Sequence, residues 1–399
     1  MEIKINRKVL LNALANTKPI ITGRHTLAIL SSILINTKGD NEIEITATDL
    51  ETGFKGVYPA EVISQGSIAI PHKELNNFIT KAKAEEIRIT ETEKGWINIS
   101  GDSTTLNIAC MLAEDFPMLP EEINCEKPIE IDAYDLKSMI AKAIVVKAQG
   151  GQEGQHIKNA LFKIIKNGEQ NFLQMASTDG GVLVQEIKKI EGSGGIKKEG
   201  DLIPKKALNK LSKSLLRSAK KPIKNNKRKN KDFYLGDSNN DIISFGITDK
   251  FFVVQIQNET IIISLSEGSF PDYAFIIDTE ERGNKFIITA DRMILLAAMK
   301  QMETMASSNY KAVTINIENN ILKMVLTNPD AGEMKKEIII EYNGPDIEVG
   351  FQPNYFVDFL NLMNTDIINL DIIGYDTPCI ITGDQDEGLI FVIMPYRMN

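Results

Sequence analysis

Histidine and cysteine each occur three times in 399 residues, and tryptophan once. Each scarcity closes a class of chemistry. His25, His72 and His156 show neither the i, i+4 spacing of a zinc-binding helix nor a triad order. Cys110, Cys125 and Cys379 are odd in number and far apart, so they give no disulfide framework and no zinc spacing, which fits a reducing cytoplasm. No glycine-rich loop ends in Gly-Lys-Ser/Thr, so no phosphate cradle is visible. No run of about 18 apolar residues exists to span a membrane. Met1–Lys8 is charged from the start and lacks the apolar core of a signal peptide. A cytoplasmic protein with no membrane partner and no cofactor is expected. The acidic cluster at 384–387 invites a metal reading, but two strand-like runs flank it and make it a hairpin loop.

What is present is a repeat. Ile203-Pro204 leads into a lysine-rich helix, with Leu208, Leu211 and Leu215 spaced by three and four on one face. Ile70-Pro71 leads into a similar segment with Leu75, Phe78 and Ile79, and Lys73 stands where Lys206 does. Phe351-Gln-Pro353 opens a worn third copy with Tyr355, Phe359 and Met363 on one face. In each case the proline is read as the first turn of the helix. A second marker keeps step: Thr48-Asp49, Thr178-Asp179 and Thr327-Asn328 each close an alternating run. A long internal period has to be settled before any motif is read, and here it predicts three domains. The spacing is wider in the second step, which places an insertion at about 218–232. The run Lys220–Lys231 holds seven basic residues in twelve and reads as a solvated loop.

Each repeat is expected to run strand, helix, three strands, then the same again. Val9–Leu14, Leu136–Ile140 and Met293–Met302 are the other helix cores, and Ile29–Asn36 a strand. Few helices and many strands mean an α+β fold, with two helices per domain packed on antiparallel sheets. Linkers fall near 126–128 and 280–283, dividing the chain into 1–125, 126–279 and 280–399.

The net charge of −9 argues against a polyanion until its distribution is considered. The six helical segments (5–18, 70–83, 131–147, 203–221, 288–300 and 351–363) carry a formal +13 together, which leaves −22 elsewhere. Basic helices on an acidic body suit a protein that holds a polyanion on one surface and repels it from the rest. Lys147 and Lys210 join that surface from their helix faces.

Arg24-His-Thr-Leu27, Ala47-Thr-Asp-Leu-Glu51, Asp115-Phe-Pro117, Ser269-Phe-Pro-Asp-Tyr273 and Met394-Pro-Tyr-Arg-Met398 together resemble the bacterial sliding clamp family, the β subunit of DNA polymerase III. The markers run in the family's order along the whole chain. The resemblance implies a head-to-tail dimer closed into a ring, with helices lining the hole and sheets outside, acting as a non-catalytic processivity factor. It implies that Arg24, Lys73, Lys205 and Lys206 face duplex DNA. It also implies a pocket for short peptides walled by Ile157, Thr178, Gly180, Leu183, Pro271, Ile276, Tyr355, Pro378, Val392, Met394, Pro395, Tyr396, Arg397 and Met398. The implied partners are double-stranded DNA, a second copy of the chain, the replicative polymerase catalytic subunit, the clamp loader, other polymerases, ligase and mismatch-repair proteins. Gly181-Val182 stand where the family has His-Arg, and Phe275 where it has a basic residue, which puts the pocket's peptide preference in question. The dimer contact is expected at the edge strand holding Leu106 and Ile108, helped by Met302. The alternative reading is a metal-dependent DNA-processing enzyme, with Mg²⁺- or Mn²⁺-dependent nuclease assays to separate the two.

Overall fold

In this computed structural model the described residues are all except 24–25, 121–127, 148–153, 193–195, 198, 216–241, 279–285, 308–310 and 397–399. Arg24, Arg397, Met398, the basic run Lys220–Lys231 and much of both expected linkers therefore lie outside the described residues.

The repeated Ile-Pro pair ends a strand instead of opening a helix. Chain order begins β1 (Glu2–Asn6), α1 (Arg7–Ile21), β2 (Ser32–Lys38), β3 (Glu42–Thr48), β4 (Thr52–Pro59), β5 (Glu61–Ser64), β6 (Ser67–Pro71), α2 (His72–Lys81), β7 (Glu86–Glu93), β8 (Trp96–Gly101), β9 (Thr104–Ala109) and β10 (Met111–Leu112). It continues with β11 (Ile129–Asp132), α3 (Ala133–Val145), β12 (Asn159–Asn167), β13 (Gln170–Thr178), β14 (Val182–Ile190), β15 (Asp201–Pro204), α4 (Lys205–Leu215), β16 (Ile242–Ile247), β17 (Phe251–Ile256) and β18 (Glu259–Ser264). The last third holds β19 (Ile288–Asp291), α5 (Arg292–Met305), β20 (Val313–Glu318), β21 (Ile321–Asn328), β22 (Gly332–Ile339), β23 (Ile347–Phe351), α6 (Pro353–Leu360), β24 (Ile367–Asp371), β25 (Cys379–Thr382) and β26 (Leu389–Ile393).

Ile70, Ile203 and Phe351 are fully buried at or next to the end of β6, β15 and β23, where each anchors the strand before the chain turns into a helix. Only in the third copy does the proline occupy the first helical turn. The expected strand from Ile29 also starts late, because Ala28–Ser31 form a 3-10 turn. The second and third parts share one order, strand-helix-three strands taken twice, and the first adds the short β5 and β10.

Two compact units emerge. The first comprises Met1–Lys137, Ile190–Ile196 and Lys206–Leu265. It holds a five-stranded sheet, β5-β1-β7-β8-β9, and a nine-stranded one, β10-β6-β2-β3-β4-β18-β17-β16-β11. The second comprises Ser138–Lys189, Lys197–Lys205 and Ser266–Asn399, with an eight-stranded sheet, β15-β12-β13-β14-β26-β25-β24-β19, and a four-stranded one, β22-β21-β20-β23. The second repeat contributes to both units because its outer strands continue its neighbours' sheets. β18 pairs with β4, and β26 with β14.

Periodicity accounts for the helices. In α4, Ala207, Leu208, Leu211 and Leu215 are buried, while Lys206 and Lys213 stand in solvent. In the first unit His72 opens α2 with its Nε2 2.9 Å from the Leu14 carbonyl of α1, and burial lowers its pKa. The second unit's core is built from α5, α6 and the inner faces of its sheets, with Phe359 stacked on Phe391 at 4.3 Å. Met302 lies fully buried in this core. The expectation that it touches a partner is corrected: α5 points it inward, and no surface is left to offer.

A buried ion pair lies in the second unit. Lys142 Nζ is 2.7 Å from Glu186 Oε1, with both side chains under 5% exposed. Replacing Lys142 with Met leaves the buried carboxylate only the partly exposed Lys188 ammonium, 3.7 Å away, and a loss of about 3 kcal/mol, the low end for a broken buried pair, is expected. Restoration of most of that loss by Lys142→Met with Glu186→Leu, read by urea titration, is the check.

Candidate functional site

The turns that follow the repeat marker are built alike in the first two repeats. Leu50 N donates to Thr48 Oγ1 at 3.0 Å, and Gly180 N to Thr178 Oγ1 at 3.1 Å. Asp49 Oδ1 accepts from Glu51 N and Thr52 N at 3.2 and 2.7 Å. Asp179 Oδ1 accepts from Gly181 N and Val182 N, both at 2.9 Å. Short Asp and Thr side chains favour such turns because they mimic a backbone turn. Both aspartates are thus turn-formers. The third copy differs: Asn328 takes the place of Asp, and Gly332 opens the next strand.

Around the second turn several predicted pocket residues come together. Leu183 and Val392 face each other across the β14–β26 pairing and pack with Tyr273, Ile380 and the half-buried Ile276. Thr178 is buried at the end of β13, and its hydroxyl donates to Val182 O at 2.7 Å. Gly180 sits at φ +87°, a conformation that suits glycine. Tyr355 in the first turn of α6 brings its hydroxyl over Gly181, 3.4 Å from where a Cβ would stand. Pro378 is half-buried just before β25.

Past β26 the chain crosses this turn. Met394 N donates to Gly181 O at 2.8 Å and Tyr396 N to Gly350 O at 2.7 Å. Met394 is 39% exposed and Tyr396 41%, with Pro395 half-buried between them. Pro271 is exposed and Ile157 buried in the turn before β12. The replacement at Gly181-Val182 now has a physical meaning. Val182 is 2% exposed within the core, so its side chain serves packing and offers no polar group at the surface. Phe275, 64% exposed, presents an aromatic ring where a cation was expected.

The predicted cationic residues divide. Lys73, Lys147 and Lys206 are exposed. Lys210 forms an ion pair with Asp49, and Lys205 Nζ donates to the Val146 carbonyl at 3.0 Å. Burial lowers the Lys205 ammonium to about 8, and the nearby Asp179 opposes that shift. Lys205 and Lys210 therefore hold the chain's own acceptors, and a phosphate would have to compete for them. The sequence pattern placed them off the core face but carried no sign of these long-range partners. Lys147 lies beside Asp358, whose carboxyl burial raises and Lys147 pulls back.

The acidic cluster is structural at its centre. Asp386 accepts from Asn364 N and Thr365 N at 2.8 and 2.9 Å, tying the β25–β26 loop to the loop before β24. Among the described residues no three His, Cys, Asp or Glu side chains gather as metal ligands, and no helix is long and apolar enough to cross a membrane.

Known proteins agree with this picture. Residues 1–120 match the family model described as DNA polymerase III beta subunit, N-terminal domain, and residues 282–397 the corresponding C-terminal domain model. A beta sliding clamp of Chlamydia pneumoniae is 25% identical over 402 positions, and one of Caulobacter vibrioides is 24% identical over 409, each covering all of both chains. Among solved structures, Caulobacter crescentus pol III beta superposes with a TM-score of 0.86 at 21% identity. The sliding clamp of Bartonella birtlesii bound to griselimycin does so with 0.86 at 22%, and both cover the full length of each chain.

Proposed function

The chain belongs to the DNA polymerase III beta subunit family, the β sliding clamps, and from that premise we propose that two copies close head to tail into a ring around duplex DNA. As a family member it is a non-catalytic processivity factor of DNA polymerase III. The proposal extends this to the assembly, the three domains at 1–125, 126–279 and 280–399, and the surfaces used.

One observation carries it. In repeat order β9, β18 and β26 are equivalent, and so are β22, β4 and β14. β18 pairs with β4 and β26 with β14, while among the described residues β9 and β22 each end a sheet with one side unpaired. An open edge with alternating apolar residues is a liability unless covered. A second copy supplies the missing pairing twice over. The register follows from Ile261↔Phe54 in the existing seam: Leu106 falls opposite Met334 of the partner subunit, and Ile108 opposite its Gly332. Met334 takes the interface place that Met302 cannot. Light scattering should give a particle of twice the 44.4 kDa chain mass, and a monomer at micromolar concentration would overturn the ring.

The surface around Leu183, Val392, Met394 and Tyr396 is assigned to short peptides from the polymerase catalytic subunit, the clamp loader and further polymerase, ligase or repair partners. Its apolar walls, with an adaptable Met, suit several related ligands. Its preference should shift away from acidic peptides, because the rim lacks the cations of the family pattern. Deleting residues 394–399 is expected to weaken a polymerase-derived peptide by about a hundredfold, the loss of a binding hot spot, with the dimer intact. Unchanged affinity by fluorescence anisotropy would remove the pocket from this account. Exposed Lys73, Lys147 and Lys206, with Arg24, are assigned to DNA phosphates.

A further inference from the structure

The first repeat has its own cleft at the matching turn, and we propose that it is a second docking site, for a short extended peptide that presents a bulky apolar side chain beside a cationic one. The inference rests on the peptide reading of the second-repeat pocket and adds a site which that reading does not contain. The cavity is about 500 Å³ and lies wholly within the first unit. Its walls correspond to the other pocket position by position. Thr48 stands for Thr178 and Leu50 for Gly180, at the ends of the two matching turns. Ile262 and Ser264 stand for Val392 and Met394 by strand register, and Phe251 for Pro378. Ser264 N donates to Glu51 O at 2.9 Å just as Met394 N donates to Gly181 O.

The differences give the site its own chemistry. Where the second repeat has Leu183, the first has Gly53, and the Leu119 side chain fills the space, 2.7 Å from where a Cβ would stand. The apolar wall is thus kept but supplied from the opposite side. Leu50 holds φ +77° in a turn position where the other repeat uses glycine, and it is 58% exposed at the cleft. A strained, exposed leucine is costly, and strain of this kind collects at binding sites. Met118, 85% exposed on the same wall, adds a flexible apolar contact. Glu51 is the one charged residue among the described lining residues, and it is exposed where the other turn has the neutral Gly181. An apolar floor with a single anion at its rim favours an apolar anchor flanked by a cation.

The test uses biotinylated heptapeptides with p-benzoylphenylalanine at the centre and Lys, Ser or Glu beside it, photocrosslinked to the full-length protein and mapped by mass spectrometry. Crosslinks at Leu50 or Met118 are expected, with Lys-flanked probes favoured about threefold over Glu-flanked ones, the scale of an exposed charge pair. They should persist when residues 394–399 are deleted and fall about tenfold or more in Leu50→Asp with Met118→Glu, two exposed positions whose change leaves the core alone. Labelling that vanishes on the deletion, ignores the flanking charge or survives the double substitution would overturn the second site. Loss of labelling around Met394 alone bears only on the pocket of the second repeat.

Discussion

With Leu106 and Ile108 both replaced by glutamate, the protein is expected to run as a folded monomer. In a single chain both side chains are only half-buried, on an edge strand with one free side, so the carboxylates stay hydrated and the sheet survives. In the assembled ring they would lie between two strands, against Met334 of the partner subunit. Desolvating an unpaired carboxylate costs several kcal/mol per ion, and each change counts twice because the ring has two identical seams. The sum exceeds what a seam of this length returns. Light scattering should drop to the 44.4 kDa chain mass while the circular dichroism spectrum and melting cooperativity stay as they were. A double variant that remains dimeric would show that β9 is not the seam.

The sequence exposed the repeat because two kinds of signal recur with it: a helical apolar face and a short Thr-Asp turn. Both depend on local chemistry, so both survive as patterns. Where partners are distant in sequence, the pattern is silent. Ile70 and Ile203 read as helix starts because proline suits a first turn, yet only the sheet pairing of β6 and β15 shows that they end strands. Helix α1 was legible as Val9–Leu14 but runs to Ile21, although Pro19 has no N–H to bond the i−4 carbonyl. Lys205 and Lys210 look free on a helical wheel, and only the fold brings Val146 O and Asp49 to them. Met302 and Met334 are alike as residues. One lies fully inside the core and the other is half-buried against that core on an edge strand, a distinction made by sheet order and not by composition. The proposed pocket walls came only from family resemblance, because Leu183, Tyr355 and Val392 lie on three separate elements and form no linear motif.

DNA should be held by topology and not by grip. Duplex DNA carries one negative charge per ~1.7 Å, and a protein that neutralises several phosphates loses affinity steeply as salt rises. Here the exposed candidates are lysines, flexible point charges suited to loose contact without register, and two of the predicted six cations are occupied by Val146 O and Asp49. A clamp that must travel with a polymerase gains nothing from tighter contacts. Binding to short linear duplex is therefore expected to be weak and to vanish above roughly 0.2 M salt. Once loaded by a matching clamp loader on nicked circular DNA, the protein should remain through a high-salt wash and leave within minutes of linearisation. Replacing Lys73 and Lys206 with alanine should slow loading several-fold, since these charges steer the approach of DNA, yet leave retention on the circle unchanged because a closed ring needs no contact to stay threaded. Gel filtration of the circle before and after a single restriction cut reads the result. Equal release from circular and cut DNA would mean that the chain does not encircle its substrate. Faster escape of the Lys73 and Lys206 variant from an intact circle would mean that contact, and not closure of the β9–β22 seams, holds it there.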